Sequence, residues 1–197
     1  MPDLMRGRKF DMAASENGTD HVATSKPAWW AFWWSLAFGL LSLYWAAGGE
    51  LGVSTLAQSI QDRTRDGDSG MRMLTAMAGL LKVAGGVVAL ATCQRWGHRL
   101  PRRPLLLLVG AIGVVYALYG LAGFVEKVLM ATGVIDIPDA FGEGAVVWYL
   151  LLWEPCWMLG GVLFLLTAWR FRGASGGEGA AGHGAGPRTN DRRHGAR

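Results

Sequence analysis

Charged residues are scarce in this sequence. They make up 17% of the 197 residues, whereas an ordinary soluble domain carries roughly 25%. Hydrophobic residues make up 51%, and ten of them are tryptophan. This balance argues against a secreted mini-protein. It also argues against a soluble nucleic-acid-binding protein, since that would need a basic folded face with interleaved aromatic side chains.

Cysteine and histidine are also too few, or wrongly placed, for common cofactor sites. Two cysteines cannot build a disulfide-dense scaffold or a four-thiolate zinc site. All histidines lie outside the long apolar segments, at His21, His98, His183 and His194. The sequence therefore predicts no intramembrane haem or zinc site, and we expect no cofactor. It also lacks a P-loop, a nucleophile elbow and a metalloprotease helix.

Long apolar segments are the dominant feature that is present. A membrane-spanning helix needs about 20 mostly apolar residues, and four segments meet this requirement: 28–47, 73–93, 105–125 and 145–169. The sequence thus predicts an all-α polytopic membrane protein, a four-helix transmembrane bundle within residues 28–172. We therefore expect the lipid bilayer to surround the bundle as its main partner.

The distribution of Lys and Arg predicts the orientation. Residues 1–27 form a polar tail, and residues 173–197 form a Gly/Ala/Arg-rich tail that we expect to be disordered. Fourteen of the 19 Lys and Arg residues lie in the N-terminal tail, in the loop 94–104 and from residue 170 onward, whereas the other two loops hold four. By the positive-inside rule, both termini are cytoplasmic and the protein is a multi-pass protein of the cell membrane.

The two loops on the predicted outer side have their own patterns. Residues 51–61 are weakly amphipathic, which is typical of a segment lying on a surface. A turn-forming run follows at 62–70. The third apolar segment can continue as a helix to Thr132, with Gly133 ending it.

Tryptophans cluster near the predicted membrane interfaces, where an apolar ring with one polar N–H is favoured. Trp153 and Trp157 do not fit, because they lie well inside the fourth segment. The interface set is Trp29, Trp30, Trp33, Trp34, Trp96 and Trp169 on the inner side, and Trp45 and Trp148 on the outer side.

Two ionisable residues lie inside apolar segments. Lys82 is the tenth residue of the second segment and Glu154 the tenth of the fourth. At 1.5 Å per residue, both lie roughly 13 Å below the outer edge. A charge at such depth costs about 2.5 to 3.5 kcal/mol, so we predict that these two residues pair. Pro155 follows Glu154 and is expected to bend the helix by freeing the carbonyl of Leu151.

Other polar groups lie in the same outer half. Tyr116 is at a similar depth, Tyr119 is one turn nearer the outside, and Tyr44 and Glu126 lie at outer helix ends. We predict that these residues, with Lys82 and Glu154, form a polar cluster open to the outside, and that Trp153 and Trp157 are its aromatic wall. Plainer interpretations are a structural salt bridge, hydrogen-bonded packing tyrosines and solvated helix ends.

Two short motifs carry a resemblance to a known family. The residues LYWAAGGELG (43–52) end the first segment, and WYLLLWEPCWMLGGVLFLLTAWR (148–170) form most of the last. The chain resembles a family of small actinobacterial four-span membrane proteins described only as a domain of unknown function. The resemblance implies that Tyr44, Trp45, Gly48, Gly49 and the run Trp153–Pro155 occupy motif positions. It implies no activity.

Three functional hypotheses follow. We favour a non-enzymatic accessory or partner-binding bundle, acting as a homo-oligomer or with another membrane protein. The second is a small-solute binder or proton-linked transporter subunit that uses Lys82 and Glu154. The third is a membrane enzyme acting on a lipid or isoprenoid. In that case Glu154 would be the general acid, and Trp153 and Trp157 would flank a cationic intermediate.

Overall fold

A computed structural model describes residues 26–173, and no strand occurs within that range. The predicted all-α class is confirmed. The element order is α1 (26–46), a 3-10 turn (Val53–Thr55), α2 (Gln58–Arg65), α3 (Ser69–Ala91), a 3-10 turn (Arg95–Arg99), α4 (Arg102–Ala131), α5 (Glu143–Trp148), a π-helical turn (Tyr149–Trp153) and α6 (Glu154–Gly173).

Three helices in the described range are long and apolar enough to cross a membrane. They are Ser69–Ala91, Arg102–Ala131 and the continuous helix Glu143–Gly173, which comprises α5, the π-helical turn and α6. These helices contain the second, third and fourth predicted segments, apart from two residues beyond the end of α3. Helix α1 covers most of the first predicted segment. Helix α1 is not among these three, and its tryptophans lower its mean hydropathy because the indole ring carries a polar N–H.

The predictions for the two tails lie outside the described residues, except at three positions. Residues 26 and 27 belong to α1, and residue 173 is the last residue of α6.

Helices α1 and α3 pack antiparallel through glycine. A Cβ built on Gly39 would lie 3.0 Å from the carbonyl oxygen of Gly79, and a Cβ on Gly79 would lie 3.0 Å from that of Gly39. Further along the pair, a Cβ on Gly86 would lie 2.8 Å from Cβ of Ser35. The two helices are therefore in backbone contact over several turns, the arrangement that small residues permit between apolar helices.

Helices α4 and α6 form a second antiparallel pair with the same chemistry. A Cβ on Gly113 would lie 2.9 Å from the main-chain nitrogen of Leu165, and one on Gly120 would lie 2.8 Å from that of Met158. On the facing helix, a Cβ on Gly161 would lie 2.5 Å from the main-chain nitrogen of Ala117. Glycine on both helices thus fixes how closely they approach.

Trp34 joins the two helix pairs. Its ring fills the space beside Gly160, where a Cβ would lie 2.5 Å from the indole, and it stacks on Phe38 with ring centroids 4.7 Å apart. Trp34 belongs to the buried core together with Val109 and Phe164. Trp34, which was predicted to lie in the inner interface belt, therefore faces the core and not the lipid, since its one-residue offset from exposed Trp33 turns it inward.

One end of the bundle is covered by the connecting segments 47–68 and 132–142, and we call it the capped end. The main-chain N–H groups of Gln58 and Ser59 donate to the carbonyls of Phe141 and Ala140, at 3.0 and 2.8 Å, and so tie the two segments together. Helix α4 runs to Ala131 with Thr132 as its C-cap. Gly133 follows with φ of 71°, a conformation that favours glycine, and this confirms the predicted helix end.

We expect Gly161→Ala to destabilise the protein by roughly 1–3 kcal/mol, the usual cost of overpacking a tight contact. The added methyl group would overlap the main chain of Ala117 in α4, so the two helices would have to move apart. Thermal unfolding of the purified protein in detergent measures the effect.

Gly144→Ala is the matched control, because nothing lies within 4 Å of a Cβ there and alanine favours a helix over glycine. Equal melting temperatures for the two variants would contradict the close packing of α4 on α6.

Candidate binding site

Two adjoining cavities lie below the capped end. The cationic cavity has a volume of about 250 Å³ and includes Arg63, Arg72 and Lys82 in its wall. The aromatic cavity has a volume of about 140 Å³. Both are lined by Ser42, Trp45, Leu56 and Lys82, so they meet at the side chain of Lys82.

Lys82 lies at the junction of the cavities without a carboxylate partner among the described residues. Its Nζ donates a hydrogen bond to Ser42 Oγ at 2.8 Å and lies 4.9 Å from the centroid of the Trp157 ring. Ser42 Oγ in turn donates to the carbonyl of Phe38 at 3.0 Å. A hydroxyl dipole and an aromatic face thus stabilise the ammonium group, and neither neutralises its charge.

Two arginines line the outer part of the cationic cavity. Arg63 in α2 and Arg72 in α3 are exposed, and their guanidinium groups form no hydrogen bond or ion pair within residues 26–173. No Asp or Glu is among the residues that line either cavity. The site therefore combines three cationic groups with a mainly apolar wall, an arrangement suited to an anion.

Aromatic side chains from four helical segments build the second cavity. They are Phe38, Trp45, Tyr119, Tyr149, Trp153 and Trp157. The rings contact one another: Trp45 and Trp153 have centroids 5.6 Å apart, and Tyr119 and Trp157 5.2 Å apart. Such edge-to-face contacts hold the rings in fixed orientations. Trp153 and Trp157, which were predicted to wall a polar cluster, both line this cavity.

The π-helical turn Tyr149–Trp153 aligns part of this wall. It comes shortly before Pro155, which has no N–H to donate to the carbonyl of Leu151. A π turn contains more residues than an α turn. Side chains four residues apart therefore point in more nearly the same direction than they do in an α-helix. Tyr149, Trp153 and Trp157 thereby all face the aromatic cavity.

The segment over the cavities is held by the same tryptophans. Trp45 Nε1 donates to the carbonyl of Leu51 at 2.7 Å, and Trp153 Nε1 donates to Thr55 Oγ1 at 3.1 Å. Val53 and Leu56 of this segment are buried. Trp45 is thus a wall residue with a structural hydrogen bond, and the prediction that it lies in an outer interface belt does not describe its environment.

Glu154 lies on the other side of α6, against α4, and does not line either cavity. It is 3% exposed, and its Oε2 has no hydrogen-bond partner. The carboxyl group occupies the space beside Gly123, where a Cβ would overlap it. The predicted pair of Lys82 with Glu154 is not formed within the described structure. The prediction used only their equal depth, and the two side chains lie on helix faces that point in different directions.

Lys127 provides the cation on the Glu154 side of the bundle. It is buried, and its ammonium group pairs with Glu126 on the same helix. The ammonium also lies 4.8 Å from the centroid of the Phe141 ring and 5.7 Å from that of Tyr149. Glu126 therefore belongs to an ion pair at the capped end and not to the cavities.

Tyr116 and Tyr44, the two remaining residues of the predicted cluster, make packing and hydrogen-bond contacts outside the cavities. Tyr116 packs in the core, with ring centroids 5.4 Å from Trp34 and 5.7 Å from Phe164. Tyr44 is half exposed, and its hydroxyl accepts a hydrogen bond from the main-chain N–H of Leu51 at 3.4 Å. Of the predicted polar cluster, the structure brings only Lys82 and Tyr119 to the cavities.

Sequence reasoning missed Ser42, Arg63 and Arg72. A signal for Arg72 was present, because Arg72, Thr75, Ala78 and Lys82 follow one another at spacings of three, three and four residues, which places them on one helix face. Arg63 carried no such signal, since it reaches the cavity only through the fold of α2 over the bundle end.

A double-mutant cycle tests the separation of Lys82 and Glu154. We expect the effects of Lys82→Met and Glu154→Gln on the free energy of unfolding to add within about 0.5 kcal/mol, as for sites that share no partner. The matched cycle of Lys82→Met with Ser42→Ala should show a larger coupling. Strong coupling between Lys82 and Glu154 would contradict the geometry.

Comparison with known families gives a match, which covers the middle part of the chain. The family model described as "Protein of unknown function (DUF3995)" matches residues 35–164, a range that includes the first motif, most of the second, the whole aromatic wall and Lys82. Neither the curated proteins nor the solved structures give a match. The match confirms the expected membership of a family of unknown function: the chain belongs to the DUF3995 family.

Proposed function

We propose that the chain is a four-span membrane protein that binds a small anionic molecule with an apolar part, through a site that opens at its outer face. The observation that carries the proposal is the composition of the cationic cavity. Lys82, Arg63 and Arg72 share one mainly apolar cavity that no carboxylate lines.

The case for four spans begins with the packing of α1. Helix α3 is long and apolar enough to cross a membrane, and α1 lies antiparallel to it in backbone contact from Ser35 near Gly86 to Leu43 near Gly79. A helix of 21 residues is about 32 Å long, which matches the thickness of the hydrocarbon core. A bilayer that contains α3 therefore contains α1 as well.

Charge and tryptophan support the orientation. The capped end holds few Lys and Arg, whereas the opposite end holds the basic loop and both basic tails, so the capped end is outside and the termini are cytoplasmic. Exposed tryptophans remain at both ends, as expected for interface belts: Trp29, Trp30, Trp33, Trp96 and Trp169 opposite the cap, and Trp148 near it.

Impermeant maleimide labelling of intact cells tests this topology. In a background without Cys93 and Cys156, we expect Ser59→Cys and Asp139→Cys to label directly. Lys26→Cys and Arg103→Cys should label only after lysis. Labelling of Lys26→Cys together with Ser59→Cys in intact cells would mean that α1 does not cross.

The energetic argument for an anion concerns Lys82. A cation at the depth of a membrane interior costs about 2.5 to 3.5 kcal/mol on insertion scales, and Ser42 with the Trp157 ring offsets only part of this cost. An anionic group bound at the junction would compensate the charge directly. Arg63 and Arg72 at the outer part of the cavity would attract such a molecule from solution.

The other hypotheses have less support. The enzyme hypothesis makes Glu154 the general acid, but Glu154 lies against Gly123 and outside both cavities. The accessory hypothesis needs only the bundle, its glycine-lined interfaces and a structural ion pair, and it assigns no role to the cavities. Gly39, Gly79, Gly113 and Gly161 are already used within the bundle. A partner protein remains compatible with ligand binding, but no surface described here requires one.

Ligand-dependent stability tests the proposal. In zwitterionic lipid nanodiscs, we expect octanoate to raise the unfolding temperature, while octylamine and octanol do not. A ligand at a hundred times its Kd adds about 2.7 kcal/mol. Lys82→Met should remove most of the stabilisation and Arg72→Gln part of it.

Arg103→Gln is the matched control, since Arg103 is an exposed cation outside both cavities. Equal stabilisation by the acid, the amine and the alcohol would contradict an anion site and indicate nonspecific partitioning into the lipid.

A further inference from the structure

The aromatic cavity has the size of one small ring. Its volume of about 140 Å³ is close to that of an engineered protein cavity of about 150 Å³ that binds benzene. The cationic cavity is larger, at about 250 Å³, and has more room for a longer or more polar group. The two volumes are thus consistent with a compartment for a ring beside a compartment for a larger group.

The wall of the aromatic cavity favours a flat, unsaturated ring over a saturated one. Two pairs of lining rings pack edge-to-face: Trp45 with Trp153, with centroids 5.6 Å apart, and Tyr119 with Trp157, with centroids 5.2 Å apart. A further aromatic ring would extend this edge-to-face array, and each aromatic contact adds to the stabilisation that apolar burial gives.

The charge at the entrance to this cavity selects against a cationic ligand. Aromatic boxes commonly bind ammonium groups through their ring faces. Here the Lys82 ammonium already lies over the face of Trp157, 4.9 Å from its centroid, and would repel a second cation. The Lys82 ammonium and the Ser42 hydroxyl lie at the junction of the cavities, where they can donate to an anionic oxygen.

We propose that the ligand is an aromatic anion. Its ring occupies the aromatic cavity, and its carboxylate or comparable oxyanion binds Lys82 and Ser42 at the junction. A further substituent on the ring can extend into the cationic cavity toward Arg63 and Arg72. This inference rests on the proposed anion-binding function and adds to it the class of molecule that the site selects.

The test compares matched probes on the native protein in zwitterionic nanodiscs. Binding of 4-fluorobenzoate is followed by ¹⁹F NMR, with unlabelled benzoate, cyclohexanecarboxylate and benzylamine as competitors. We expect benzoate to compete at least about threefold better than cyclohexanecarboxylate, given the size of aromatic pair energies. Benzylamine should not compete.

Two cavity-filling variants locate the ring. Leu41 lines only the aromatic cavity and Ile60 only the cationic one. Leu41→Trp should abolish binding of 4-fluorobenzoate and leave stabilisation by octanoate in place, whereas Ile60→Trp should do the reverse. Lys82→Met should weaken 4-fluorobenzoate binding by at least about tenfold, the usual effect of losing a charge-assisted hydrogen bond. The melting temperature of each variant without ligand shows whether it is folded.

The outcomes separate this inference from the proposed function. If benzoate and cyclohexanecarboxylate compete equally, or if Leu41→Trp leaves 4-fluorobenzoate binding unchanged, the ring compartment is wrong while the anion site stands. If neither 4-fluorobenzoate nor octanoate binds the native protein in the nanodiscs, both proposals are overturned. Competition by benzylamine as strong as that by benzoate would overturn the proposal that the ligand is an anion.

Discussion

Close contact between helix backbones is the constraint on which the rest of this structure depends. Apolar helices in a membrane gain little from the hydrophobic effect when they associate, so their packing rests on van der Waals contact between small residues. Gly39 with Gly79 fixes α1 on α3, and Gly161 on Ala117 fixes α6 on α4. The large side chains are excluded from these contacts and collect elsewhere.

The cavities follow from that exclusion. Toward the middle of the bundle, Trp34 fits beside Gly160 and closes the core. Nearer the capped end the aromatic rings are held in edge-to-face contact and by hydrogen bonds from Trp45 and Trp153 to the covering segment. Rigid rings held at fixed angles do not collapse into the space between them, so room remains beside Lys82.

The two ionisable residues inside the predicted apolar segments, Lys82 and Glu154, are accommodated in different ways. The ammonium group of Lys82 reaches a hydroxyl, an aromatic face and a cavity. The carboxyl group of Glu154 is enclosed against Gly123, with one oxygen unpartnered. Glu154 therefore shapes the contact of α6 with α4, while Lys82 gives the cavities their charge. This difference separates the packing role of Glu154 from the binding role that we propose for Lys82, although both residues lie at the same predicted depth.

The helices and the residues that are costly to bury can be recognised from the sequence. Apolar runs of about 20 residues predict long helices because of the length that a bilayer requires, and Gly133 predicted the end of α4 through its backbone freedom. Lys82 and Glu154 were recognisable because charges are rare in such runs. Depth follows from position along a helix, at a fixed rise per residue.

Tertiary structure alone decided which side chains meet. The rotation of each helix about its axis and the order of helices in the bundle depend on contacts between distant residues, such as Gly86 with Ser35 and Gly120 with Met158. Those contacts turn Lys82 toward Ser42 and Glu154 toward Gly123. Arg63 joins the site only because α2 folds over the end of the bundle. The sequence pattern gives the position of a residue along its helix axis. The direction in which its side chain points across the bundle determines the site, and that direction depends on the tertiary contacts.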